Sequence, residues 1–167
     1  MEIRYPLDRE NSLSLLKAQD ATVNKNDALI YRPVLIGDHR GTSNSAIRFD
    51  GLVSRIVLPD AVNFGHRDFT ISIGFLMRFG HNFHLVGSKI GETKKGFDIF
   101  CDYNDGMIYF RHGNGTSISS LSGNLPLLPS DWYFISCVYN ATNGIKQIYK
   151  SASGGTSLLS QIEFPFN

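Results

Sequence analysis

Apolar and polar positions alternate along much of this chain with a period of two. The clearest run spans residues 69–79, where Phe69, Ile71, Ile73, Phe75, Met77 and Phe79 share one parity. Thr70, Ser72, Gly74, Leu76 and Arg78 take the other. Successive side chains of a strand point to opposite faces, so this run predicts a strand with one face in a core. Shorter β-prone runs follow at 84–88, 97–103, 107–112, 132–139, 145–150 and 158–164, and others precede it at 46–49 and 55–58. Residues 29–36 are β-prone too, but Pro33 withholds a ladder donor and makes that strand an edge or an irregular one. Residues 1–28 are polar and weakly patterned, with Leu13, Leu15 and Leu16 suggesting a short helix over 11–18.

Turn signals separate the runs. Asn104-Asp105-Gly106 lies between two alternating segments and predicts a hairpin, as does the Asn143-Gly144 end of the 140–144 loop. Asp50-Gly51, Asn114-Gly115 and Gly154-Gly155 mark further turns. About ten short strands without helical periodicity predict an all-β fold, an antiparallel two-sheet sandwich or a barrel. The expected division is an N-terminal extension over 1–28, weakly structured or supplying an edge strand, and a β-sandwich domain over 29–167.

Composition supports this picture. The chain has 167 residues, enough for one domain with a core of its own; 42% are hydrophobic and 19% charged. Twelve Phe and seven Tyr fit β structure. A formal net charge of +1, with no run of like charge beyond Lys94-Lys95, offers no footprint for nucleic acid. No apolar stretch is long enough to span a bilayer, so no membrane insertion is expected. Met1 to Pro6 do not read as a secretory signal. The expected location is extracellular or a virion surface, reached after removal of a leader or by release from a cytoplasm. Cys101 and Cys137 each fall inside a strand and read as small buried hydrophobes, with a single bridge between facing strands as the alternative.

The chemistry of catalysis is largely missing. Glycoside hydrolysis needs two carboxylates about 5–10 Å apart. Of the four Glu (2, 10, 92, 163) only Glu10 has an acid two residues away, Asp8 in the weakly patterned N-terminal region, and Asp98 and Asp102, on one strand face, lie about 13 Å apart. No G-x-S-x-G elbow occurs, and Phe97 stands where a P-loop would need Lys. His81 and His84 form an H-x-x-H without a third ligand nearby, which reads as exposed loop histidines rather than zinc. Asp102, Asn104 and Asp105 offer oxygen ligands that calcium would accept, though the same residues make a hairpin turn. The polar groups expected to contact a ligand are His81, Asn82, His84, Asp102, Asn104, Arg111, His112 and Asn114, all near turns. Trp132 has a face suited to a sugar ring, but its place in a strand points to core packing.

Several segments taken in order resemble a known family. Ala46-Ile47-Arg48-Phe49-Asp50-Gly51, Val57-Leu58-Pro59, Asp68-Phe69-Thr70-Ile71-Ser72 and Gly96-Phe97-Asp98-Ile99 are four of them. Asp131-Trp132-Tyr133-Phe134, Val138-Tyr139-Asn140 and Ile148-Tyr149-Lys150 complete the series. Together they resemble the laminin-G-like, pentraxin-like jelly rolls of the concanavalin A-like lectin/glucanase superfamily, over residues 46–150. Two departures stand out: no Gly-x-Ile-Asp segment follows the Tyr strand, and the N-terminal region is longer than the pattern needs. The N-terminal segment or a neighbouring subunit is therefore expected to complete the sheets. The resemblance implies a non-catalytic recognition module that binds a glycan or a host-surface receptor, as in a phage receptor-binding, tail or decoration component. The alternative it leaves is a structural or protein-interaction domain that contacts other subunits of an assembly.

Overall fold

A computed structural model describes residues 13–14, 17–59, 67–78, 81–88, 94–125, 128, 130–152 and 155–163. The described residues contain strands and no helix, so none is long and apolar enough to cross a membrane. The chain divides into two compact units, Met1–Asn63 and Phe64–Asn167.

The first unit holds β1 (Leu13–Ser14), β2 (Lys17–Ala18), β3 (Ala28–Tyr31), β4 (Val34–Ile36), β5 (Ala46–Arg48) and β6 (Arg55–Val57). β1, β2, β3 and β6 form one antiparallel sheet, and β4 and β5 a separate hairpin. The core is small: Ala18, Ala28 and Ile30 are buried, with Ile47, Ile56 and Leu58 packed on them. A short helix was expected over 11–18; of those positions the described ones, Leu13–Ser14 and Lys17–Ala18, are strand. Pairing of Ala18 with Ala28 buries both methyl groups, which an isolated helical turn would leave in water. Asp20 anchors the β2–β3 turn. Its carboxylate accepts bonds from the Thr22 and Asn26 amides at 2.9 and 3.0 Å, and from the Thr22 hydroxyl at 2.9 Å. The run over 29–36 breaks at Arg32, whose φ is +50°, just before Pro33.

The second unit holds β7 (Phe69–Leu76), β8 (Phe83–Gly87), β9 (Lys95–Asp102), β10 (Met107–Asn114) and β11 (Ile118–Asn124). It continues with β12 (Trp132–Tyr139), β13 (Ile145–Ala152) and β14 (Gly155–Glu163). Two antiparallel four-stranded sheets result, ordered β11-β10-β9-β8 and β14-β13-β12-β7. The first is a four-strand meander, and the second a three-strand meander, β12-β13-β14, with β7 joined beside β12. One core is shared: Phe97, Ile99, Cys101, Ile108, Phe110 and Leu121 come from one sheet, and Phe75, Tyr133, Ile135, Cys137, Tyr139 and Ile148 from the other. Rings meet between the sheets, Phe69 lying 5.5 Å from Phe97 and Phe75 lying 5.8 Å from Phe83. The architecture is thus all-β and sandwich-like.

Parity decides which side chains enter that core. In β12, Tyr133, Ile135, Cys137 and Tyr139 are buried while Trp132, Phe134, Ser136 and Val138 are half-buried. Trp132, expected in the core, therefore belongs to the outward set, with its ring 6.5 Å from that of Phe134. The end of the 69–79 run at Phe79 lies outside the described residues. Both thiols are free and buried, and burial pushes each up to about 12.

Candidate functional site

The β9–β10 hairpin sets the register of the site. Gly106 takes a φ of +66° in its turn, a left-handed conformation that glycine adopts without steric cost. Asp102 then pairs with Met107, Phe100 with Tyr109 and Asp98 with Arg111. Even-numbered residues of β9 thus share a face with odd-numbered residues of β10, turned away from the core that Ile99, Cys101, Ile108 and Phe110 fill. Across the sheet His84, Phe100, Tyr109 and Ser122 form one row, and Gly87, Asp98, Arg111 and Ser120 the next.

Phe100 sits at the centre of that outward face. The His84 ring lies 5.0 Å away, the Tyr109 ring 6.0 Å away, and the Arg111 guanidinium carbon 5.4 Å from its centroid. Asp98 points outward yet is 6% exposed. Arg111 covers it as a fork: Nε donates to Oδ1 at 2.7 Å, and Nη2 donates to Oδ2. Two parallel charge-assisted bonds fix the guanidinium plane as well as its charge. The bond to Asp98 raises the Arg111 pKa. His84 brings Nδ1 within 3.5 Å of Asp98 Oδ2 from the other side while remaining largely exposed.

Two local features place His84 there. The β8–β9 register shifts between His84 and Val86, an irregularity that re-aims side chains. Gly87 then lies against Asp98, where an added Cβ would sit 2.8 Å from Asp98 Cβ and 3.0 Å from the Phe97 carbonyl oxygen. Only glycine permits that approach without a shift of the backbone.

The expected ligand residues do not all share one place. His84, Arg111 and Asp102 belong to the outward face. Asn82 and Asn104 lie at its hairpin end: Asn82 Oδ1 accepts the Tyr103 amide at 2.8 Å, and the Asn104 amide donates to Asp102 Oδ1 at 3.0 Å. His81 is exposed just before β8. His112 is buried on the opposite, core-facing side, its ring 4.6 Å from Tyr139, so it does not join this face. Asn114 stands at the far end of the hairpin, where its side-chain oxygen accepts the Thr116 and Ser117 amides at 2.8 and 2.9 Å.

The residues absent from the expected set are Asp98, Phe100 and Tyr109. Their signal was available: the Asp-Gly turn fixes which residues oppose each other, and counting back from it sets Asp98 opposite Arg111 and Phe100 opposite Tyr109.

The oxygen-rich loop is folded as a turn. Asp102 Oδ1 accepts the Asn104 amide, Asp105 Oδ1 the Met107 amide at 2.8 Å, and Asp105 Oδ2 the Tyr109 hydroxyl at 2.6 Å. That last bond raises the Tyr109 pKa. Three of the four carboxylate oxygens of Asp102 and Asp105 thus close the hairpin. Among the described residues no group of three or more His, Cys, Asp or Glu could hold a metal ion. No family model, curated protein or solved structure matches the chain.

Proposed function

We propose that this chain is a non-catalytic recognition module of the concanavalin A-like, laminin-G-like jelly-roll kind, and that it binds glycan on a cell or particle surface. The outward face of the β11-β10-β9-β8 sheet is its binding surface. The observation that carries this reading is the row His84–Phe100–Tyr109 beside the Asp98–Arg111 fork. Aromatic rings suit the apolar faces of sugar rings, and a fixed pattern of donors and acceptors beside them suits hydroxyl groups. A strand scaffold holds these groups rigidly, and Arg111 holds Asp98 in one orientation.

Two features support a binding role over a catalytic one. Asp98 and Asp102 are four strand residues apart, about 13 Å, beyond the gap for either hydrolytic geometry. Both oxygens of Asp98 accept bonds from Arg111, so the carboxylate is engaged within the face itself. An open sheet face of this kind binds single glycans weakly, and repetition in an assembly such as a virion surface supplies avidity.

A glycan array probed with the protein displayed multivalently, in calcium and again in chelator, tests the reading. Reproducible binding to one glycan class in both conditions is expected. Silence in both contradicts it, and loss in chelator alone moves the contact to the Asp102–Asp105 loop.

A further inference from the structure

The sandwich presents four sheet edges, and three carry features that discourage pairing with another strand. β8 is five residues long with a register shift. β11 is rich in Ser119, Ser120, Ser122 and Gly123, residues of low β propensity. The pairing of β14 with β13 shifts register between Ile148 and Tyr149. β7 shares with these edges only a single serine and a single glycine, Ser72 and Gly74. It reads FTISIGFL over eight residues, without charge or proline, and its eight pairs with β12 run without a shift. Among the described residues no strand pairs with its other edge. A long, uncharged edge exposes a row of backbone donors and acceptors that pairs readily with another strand.

We propose that β7 pairs antiparallel with β7 of a second copy of this chain about a twofold axis, joining two β14-β13-β12-β7 sheets into one of eight strands. This goes beyond the glycan-binding reading and does not depend on it. Self-pairing is favoured by charge: with no ionised side chain on β7, no like charges meet across the junction. Parity favours it as well. Directly opposed residues of an antiparallel pair point to the same side. A twofold axis normal to the sheet therefore sets Ile71, Ile73 and Phe75 of both chains on the core side and Thr70 and Ser72 on the outer side. An isologous contact of this kind closes as a dimer instead of growing into a fibre.

Light scattering on eluting protein tests this with the whole chain. The wild type is expected to run as a dimer that dissociates on dilution. Thr70→Lys places a charge at the exposed start of β7 and is expected to run as a monomer. Thr142→Lys, an equal charge in the exposed β12–β13 loop, is expected to remain dimeric. Hydrogen exchange on the wild type needs no variant: amides within residues 70–76 should gain protection as concentration rises. A wild type monomeric at all concentrations, a dimer indifferent to Thr70→Lys, or growth into open aggregates overturns the proposal. So does exchange at 70–76 that does not change with concentration.

Discussion

Three charged side chains show how burial changes what a residue does. Lys146 is fully buried on β13 and reaches the other sheet, where its Nζ donates to the Ser119 carbonyl oxygen at 2.8 Å and to the Ser119 hydroxyl. It also lies 5.8 Å over the Phe110 ring. Burial pushes it down to about 8. A lysine with its folded pKa below the unfolded value binds fewer protons in the native state. It therefore costs stability below the folded pKa, and that cost is relieved as pH rises toward the unfolded value near 10.4. Stability is expected to rise between about pH 8 and pH 10 by on the order of 2–3 kcal/mol from this group. Lys146→Met should remove that rise, as urea unfolding across this window will show. Asp98 and Arg111 behave differently because each compensates the other. Arg111→Ala leaves a carboxylate that is 6% exposed without its fork and should cost about 1–3 kcal/mol at pH 7. Replacing both partners should cost less than the two single losses added together, which a double-mutant cycle measures.

At the level of strands, pattern alone carried far. The 69–76 alternation, the Asp105-Gly106 hairpin and the 132–139 strand were all legible because apolar side chains there repeat every second residue. β11 was not legible: it carries three serines and a glycine, and its ladder is specified by its neighbour β10 more than by its own side chains. β1 and β2 were missed because two-residue strands have no period to read. The outward position of Trp132 follows from parity: a strand whose odd residues Tyr133, Ile135 and Cys137 are inside must carry 132 on the other side. His84, Asp102 and Arg111 of the outward face were legible as polar groups near turns. Asp98 and Phe100 were hidden mid-strand until the register placed them. The glycine at 87 belongs to the same scale. Gly87→Ala forces Cβ against Asp98 and the Phe97 carbonyl and should cost about 1–3 kcal/mol. Thermal unfolding will show this, with weakened ligand binding in the same variant because the bulge that aims His84 must shift.

The two sheets of residues 64–167 are held by a core continuous from one sheet to the other, which is why both cysteines, one from each sheet, are shielded from solvent. With each thiol pushed up to about 12 and buried, neither should react with a disulfide reagent at pH 8 until the protein unfolds. Reaction of native protein at the rate of a free thiol would mean the sheets separate readily. The same core lies on one side of the β11-β10-β9-β8 sheet, and the other side is the face proposed above for recognition. Glycan array binding by the multivalent wild type beside Phe100→Ala tests that claim most directly. Phe100 lies outside the core, so its loss should leave the fold intact while removing the ring that His84, Tyr109 and Arg111 surround. The account predicts binding to one glycan class by the wild type and a drop of at least about tenfold for Phe100→Ala, the equivalent of 1.4 kcal/mol. Binding by a folded Phe100→Ala equal to that of the wild type would contradict it.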